Sequence, residues 1–100
     1  MNLLQMKLLH YIHRTYINSS ARIYPNPVAG LTTIELNTIE TSDITIRIFD
    51  ILGIERKKVN TRLVNGNNRI EMNVKNIQEG IYFITFEGTD LGPLVLNVQK

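Results

Sequence analysis

The two histidines are the residues whose type and spacing could bind a metal ion. His10 and His13 are three residues apart, so on a helix they would share one face, as paired metal ligands do. The first twenty residues contain no Asp, Glu or Cys, and the chain has no further His. Two ligands alone make an incomplete site, so we interpret them as solvated histidines beside a core contact. The sequence predicts no metal and no cofactor.

No group of residues in the sequence has the pattern of a catalytic site. A catalytic triad needs a His that is oriented by an acid, and both histidines lie in an atypical N-terminal segment. Asp43, Asp50 and Asp90 occupy predicted turns, where an Asx side chain binds backbone donors. Their spacing also differs from that of a calcium loop. We therefore predict that the protein is not an enzyme.

Arg56, Lys57, Lys58 and Arg62 form the basic cluster of the chain. On a strand these side chains would alternate between the two faces, so they would not form one continuous basic stripe. No aromatic residue is interleaved with them to stack on bases, and the net charge is only +2. The cluster is typical of a solvated edge strand, and we predict no nucleic-acid partner.

The composition indicates one globular domain. The 100 residues are 43% hydrophobic and 20% charged, which is ordinary for a folded soluble domain and unlike a disordered chain. There is no cysteine, so disulfides, thiol nucleophiles and thiolate metal sites are excluded. Lys7, His10, His13 and Arg14 interrupt the apolar N-terminal residues, so we expect no Sec signal in this sequence.

The first twenty residues differ in character from the rest. Leu4, Leu8, Tyr11, Ile12 and Tyr16 recur at helical spacing, which predicts a short amphipathic helix that ends before Ser20. We therefore divide the chain into an N-terminal arm or linker, residues 1–20, and a β-domain, residues 21–100.

The strongest strand pattern is Gly80–Glu87, around which we expect the fold to form. Tyr82, Ile84 and Phe86 alternate with Ile81, Phe83, Thr85 and Glu87. The pattern predicts a central strand that is covered on both faces at its start and wetter at its end.

Turn signals about every ten residues separate six or seven short strands, which predicts a small antiparallel β-sandwich. Pro25 and Pro27 place their segment at a sheet edge or in a turn. The polar stretch 54–63 predicts an edge strand, and residues 50–53 a turn. Residues 65–68, Asn-Gly-Asn-Asn, predict a hairpin. Tyr24 could either close the end of the core with its ring or form part of a docking segment.

Four sequence blocks occur in order between residues 21 and 100: Tyr24-Pro25-Asn26-Pro27, Asp50-Ile51-Leu52-Gly53, residues 76–84 with Gly80-Ile81-Tyr82, and residues 94–100 ending in Lys100. Together they resemble the type A C-terminal sorting domain of the type IX secretion system of Bacteroidetes. That family has a YPNP element, a D-x-x-G element and a G-x-Y element before a basic last residue. The resemblance implies an immunoglobulin-like β-sandwich of about seven strands.

The resemblance also implies a non-catalytic secretion signal at the end of a larger secreted protein. In that family the domain is recognised in the periplasm by the outer-membrane translocon, and a sortase-like peptidase commonly cleaves it off. The cargo, whose domain is absent from this sequence, is then released or attached at the cell surface. By position, cleavage would fall within residues 18–22. The implied recognition residues are Tyr24, Pro25, Asn26, Pro27, Gly80, Tyr82, Leu94, Leu96, Val98 and Lys100.

Two further expectations concern partners. The last strand would be a sheet edge, able to accept a receptor strand or to form a homodimer. The alternative function is a β-sandwich adhesion or carbohydrate-binding module. Such a module would need a row of exposed aromatic side chains, and it should tolerate loss of Gln99 and Lys100.

Overall fold

The computed structural model describes residues 2–3 and 20–100, and seven β-strands account for most of them. The predicted N-terminal helix, apart from Asn2 and Leu3, and both histidines lie outside the described residues. The strands are β1 (Ser20–Tyr24), β2 (Leu31–Thr38), β3 (Ser42–Phe49), β4 (Glu55–Leu63), β5 (Gly66–Asn73), β6 (Gly80–Glu87) and β7 (Leu94–Val98).

The strands form two antiparallel sheets. One has three strands in the order β1-β2-β5, and the other has four strands in the order β4-β3-β6-β7. Antiparallel strands expose one face to solvent and bury the other, which is the alternation found along the sequence. The predicted all-β sandwich of about seven strands is confirmed.

The core lies between the two sheets and is built from alternate residues of inner and outer strands. The fully buried side chains are mainly β-branched or leucine, which suit a pleated surface. They include Ile34 and Leu36 of β2, Ile46 and Ile48 of β3, Ile84 of β6, and Leu96 and Val98 of β7.

The prediction for β6 is right in position and wrong in burial. The strand is central in its sheet, between β3 and β7, and Tyr82, Ile84 and Phe86 are buried. Ile81 and Phe83, which we expected to be covered, are exposed. A two-layer sandwich has only one inner face per sheet, so the second apolar face at the start of β6 remains in solvent.

The predicted hairpin at residues 65–68 is wrong, because β4 belongs to the four-stranded sheet and β5 to the three-stranded sheet. The segment is a crossover between sheets. Its closure uses Asn68, whose side chain accepts a hydrogen bond from the Val64 N–H (3.0 Å) and donates one to the Val64 carbonyl (2.9 Å). Turn-forming residues thus marked a reversal of direction without specifying which sheet the chain enters next.

The edge predictions are confirmed. β4 and β1 are outer strands of their sheets, and the proline-containing segment follows β1 as a turn. Of the three aspartates expected in turns, Asp50 begins the β3–β4 turn and Asp90 lies in the β6–β7 connection, whereas Asp43 lies inside β3. Asp43 instead forms a cross-strand ion pair with Arg62, 3.1 Å between Oδ1 and Nη1.

In the part of the chain that the structure describes, no helix is long and apolar enough to span a membrane.

Candidate functional site

Most of the predicted site residues, although up to 76 positions apart in sequence, gather at one end of the sandwich; Leu94, at the start of β7, lies opposite Ile84 in the middle of β6. We call this the motif end. It contains the chain reversal after β1, the β3–β4 turn, the β5–β6 loop, the start of β6 and the end of β7. The opposite end contains Ser20, the β2–β3 link and the crossover from β4 to β5.

Asn26 and Val28 cover the outer edge of β7. The Asn26 side chain donates from Nδ2 to the Val95 carbonyl (2.8 Å) and accepts at Oδ1 from the Asn97 N–H (2.9 Å). The Val28 N–H donates to the Asn97 carbonyl, and its carbonyl accepts from the Gln99 N–H, both at 2.9 Å. We call residues 25–28 the edge cover. β7 is the outer strand of its sheet, as expected, and in this structure the edge cover pairs these four backbone groups.

The edge cover is fixed at both its ends. The Thr32 hydroxyl donates to the Pro25 carbonyl at 2.8 Å, and Thr32 itself is buried. Val28 is a core residue and forms a parallel bridge with Val98. Between these anchors, Pro25, Asn26 and Pro27 are exposed, and the peptide bonds preceding both prolines are cis.

Tyr24 lies on the outer face of the three-stranded sheet, so the alternative in which its ring closes the end of the core is wrong. The residue is 37% exposed. Its hydroxyl donates to Glu35 Oε2 at 2.9 Å, and the Arg22 guanidinium lies 5.1 Å from its ring centre. The Tyr24 hydrogen bond, with the Arg22 and Arg69 charges, holds the pKa of the Glu35 carboxyl below its ordinary value.

Lys100 is fastened to the β5–β6 loop. Its ammonium group donates to the carbonyls of Val74 (3.1 Å) and Lys75 (2.9 Å), and its backbone N–H donates to Glu79 Oε1 (2.7 Å). These bonds hold the residues after β7 against the loop that leads into Gly80.

Gly80 and Tyr82 form a unit at the start of β6. The Tyr82 ring is buried, and its hydroxyl donates to the Gln78 carbonyl at 2.5 Å. A Cβ at Gly80 would lie 3.7 Å from the ring, which is an ordinary contact, so the backbone conformation rather than space favours glycine here. Gly80 has a φ of 154°, a conformation that side chains disfavour.

The three predicted residues of β7 act inside the sandwich. Leu96 and Val98 are fully buried and offer no free surface to a partner, whereas Leu94 is half-buried. Their structural contribution is to hold β7 against β6, where Leu96 lies opposite Tyr82 and Val98 lies opposite Gly80.

A cleft of about 710 Å³ lies between the β3–β4 turn and the β5–β6 loop. Asp50 builds the turn, because Oδ1 accepts from the N–H groups of Leu52 and Ile54 and Oδ2 pairs with Arg56 at 2.8 Å. These contacts, the Ile54 bond foremost, lower the pKa of Asp50. Ile51 and Leu52, 73% and 79% exposed, lie on the cleft wall.

Sequence reasoning missed Ile51 and Leu52 as candidate contacts. The available signal was two large apolar residues at the tip of a turn, where polar residues are usual. It also missed an apolar row on the outer face of the four-stranded sheet, formed by Phe49, Phe83 and Val95 on neighbouring strands. Of the exposed aromatic residues, Tyr24 lies on the three-stranded sheet, and Phe83 lies on the four-stranded sheet beside the partly buried Phe49.

Comparison with known proteins supplies one match. The model of the family described as the secretion system C-terminal sorting domain matches residues 22–91. The match includes the Tyr24–Pro27 block, the Asp50 turn and the Gly80–Tyr82 pair, and it stops before β7. No curated protein and no solved structure matches the chain. In the described residues, no cluster of His, Cys, Asp or Glu could hold a metal ion.

Proposed function

Because the chain belongs to the family of type IX secretion system C-terminal sorting domains, we propose that it directs a fused cargo protein across the outer membrane. As a member of this family it is a sorting signal for export to the cell surface or the medium, and the family is not a catalytic one. In our proposal the translocon recognises the domain in the periplasm. A sortase-like peptidase then cleaves it off, and the cargo is released or attached at the surface.

The observation that supports this proposal most is the meeting of all four sequence blocks at the motif end. Asn26 is hydrogen-bonded to β7, and Lys100 is hydrogen-bonded to the loop before Gly80. The Asp50 turn and the Gly80–Tyr82 pair line the same cleft. We infer that the translocon reads this assembled surface, and that residues 21–100 are the sorting unit, with residues 1–20 as an arm or linker.

The recognition residues then divide into two roles. Gly80, Tyr82, Leu94, Leu96 and Val98 are positioning residues, since they build the motif end from within. Tyr24, Pro25, Pro27 and Lys100 are on the surface and are the predicted residues that a partner could contact directly. Asn26 is also exposed, but its side chain is bonded to β7. To these we add Ile51 and Leu52, whose apolar side chains project into solvent beside the cleft.

The proposed cleavage region overlaps β1. Ser20, Ala21 and Arg22 are paired with Asn37, Leu36 and Glu35 of β2. A peptidase needs an extended substrate free of a neighbouring strand, so cleavage at these residues requires the start of β1 to leave the sheet.

The test is export of a reporter that has a Sec signal at its N-terminus and the whole 100-residue chain at its C-terminus, in a host with a working type IX system. We expect export of the intact fusion and periplasmic retention when the last ten residues are removed. Retention of both fusions, or export of both, would contradict the proposal.

A matched pair of variants separates recognition from folding. Leu52→Asp changes an exposed residue at the motif end, and Ile39→Asp changes an exposed residue at the opposite end. Neither side chain is in the core, so both variants should fold. We expect export to fall for Leu52→Asp alone. Equal export of the two variants would remove the β3–β4 turn from the recognition surface.

A further inference from the structure

The bonds that Asn26 makes with β7 are those of a neighbouring strand. A strand pairs through peptide groups that donate an N–H and accept at a carbonyl. The Asn26 amide does both, because Nδ2 donates to the Val95 carbonyl and Oδ1 accepts from the Asn97 N–H. One side chain therefore takes the place of a peptide group along the edge of the four-stranded sheet.

The two halves of the edge cover differ in how firmly they are held. Val28 is buried in the core and pairs through its backbone with Asn97 and Gln99. Asn26 is exposed, and its side chain makes two hydrogen bonds to the backbone of β7. Rotation of one side chain would therefore free the Val95 carbonyl and the Asn97 N–H, while Val28 remains in place.

A second observation indicates what the freed edge would accept. Phe49, Phe83 and Val95 lie side by side on the outer face of β3, β6 and β7, and this apolar row ends at the β7 edge. Val95 is 52% exposed. A strand added beside β7 would place one of its own side chains next to Val95, so an apolar residue there would extend the row and bury it.

We propose that the outer edge of β7 at Val95 and Asn97 is a strand-docking site that Asn26 covers in the unbound domain. Its occupant is an extended polypeptide segment with an apolar side chain beside Val95, supplied by the secretion machinery. The identity of the donor rests on the proposed function. The location of the edge, its cover by Asn26 and the apolar character of the docking segment are inferred from the geometry alone.

The test uses the full chain and a fluorescent peptide with the sequence of residues 94–100, an alternating apolar strand, in a polarisation assay. Asn26→Ala removes the two hydrogen bonds that the Asn26 side chain makes to β7. A net hydrogen bond contributes roughly a fivefold factor, so loss of both should tighten peptide binding about 25-fold. Asn76→Ala, a matched change at an exposed motif-end asparagine, should bind the peptide as the wild type does.

A second change locates the binding. Val95→Lys in the Asn26→Ala background leaves the core intact and removes the apolar neighbour, so peptide affinity should fall back toward that of the wild type. Equal peptide affinity of wild type and Asn26→Ala, or no effect of Val95→Lys, would overturn the proposal. Dimerisation of Asn26→Ala without peptide would also overturn it, because the occupant would then be a second copy of the chain.

Amide hydrogen exchange tests the wild type without relying on any variant to fold. The Asn97 N–H is held by the displaceable Asn26, whereas the Gln99 N–H is held by the buried Val28. We expect Asn97 to exchange at least tenfold faster than Gln99 through local opening. Exchange of both amides at the same rate, through global unfolding only, would contradict a displaceable cover.

The export assay distinguishes this inference from the proposed function. If the translocon supplies the strand, the Asn26→Ala reporter should be exported more efficiently than the wild-type reporter. Loss of export for Asn26→Ala alone would overturn the inference and leave the proposed function standing. If the wild-type reporter is not exported, the proposed function is overturned. The peptide assay would then still test whether the β7 edge binds a strand.

Discussion

Replacing Tyr82 by Phe should lower the free energy of unfolding by about 1–2 kcal/mol. The residue is buried, and its hydroxyl donates to the Gln78 carbonyl at 2.5 Å. The ring can remain in place, so the loss is that of one net hydrogen bond, about 1 kcal/mol, and of a carbonyl left without its partner. Tyr82→Ala also removes the ring from the core and should cost about 3–5 kcal/mol.

The assay is urea unfolding of the full chain, with the midpoint shifting and the slope unchanged. In a thermal scan, 1 kcal/mol corresponds to roughly 4–8 °C for a domain of this size. Tyr24→Phe is the matched control, because its hydroxyl bonds to Glu35 on the solvent face, and it should cost no more than about 0.5 kcal/mol. An unchanged Tyr82→Phe protein, or equal losses for both tyrosines, would refute the reasoning.

Three further predictions concern turns and termini. Gly88→Ala should cost about 2 kcal/mol or more, because φ is 98° and a Cβ would lie 2.9 Å from the Asp43 carbonyl; Gly92→Ala, with open space, should be nearly neutral by the same urea assay. The stability that Asp50 contributes should be present above the ordinary carboxyl pKa of about 4 and disappear as the pH falls through its lowered pKa. The gap in urea midpoint between wild type and Asp50→Asn should therefore close below that pH, and a constant gap would contradict the charge-based explanation. Lys100→Met should cost about 1 kcal/mol through loss of the bonds to the Val74 and Lys75 carbonyls, and speed amide exchange in the β5–β6 loop; no change in that loop would show that the lysine does not fasten it.

Alternation of apolar residues was enough to predict the strands and the sandwich, because burial on one face imposes a period of two. Ile44, Ile46 and Ile48 follow that period, and all three are buried. The proline segment and the lysine-rich strand were identified as edges because they cannot, or do not, take part in a full ladder.

The errors have a common physical origin in how the two sheets are placed in space. The Asn-Gly sequence at residues 65 and 66 indicates a reversal, but the choice of sheet for β5 depends on which partner, β2 or β4, has a free ladder and a matching apolar face. The outer face of β6 would be buried only if a third layer packed on it, and no local sequence pattern specifies whether such a layer exists. The role of Asn26 could not be predicted locally, because its hydrogen-bond partners are about 70 residues away in sequence.

A signal assembled from distant segments can be read only in the folded chain. The edge cover, the Asp50 turn, Gly80 and Lys100 form one surface through contacts that disappear on unfolding. A domain of this size is typically stable by about 5–15 kcal/mol, so a loss of 2 kcal/mol still leaves nearly every molecule folded. Under the proposed function, export should therefore tolerate modest core defects and fail steeply near the unfolding threshold. Changes to exposed motif-end residues such as Leu52 should reduce export in molecules that are fully folded. The dependence of export on the loss of stability therefore distinguishes a residue that builds the recognition surface from one that the translocon contacts.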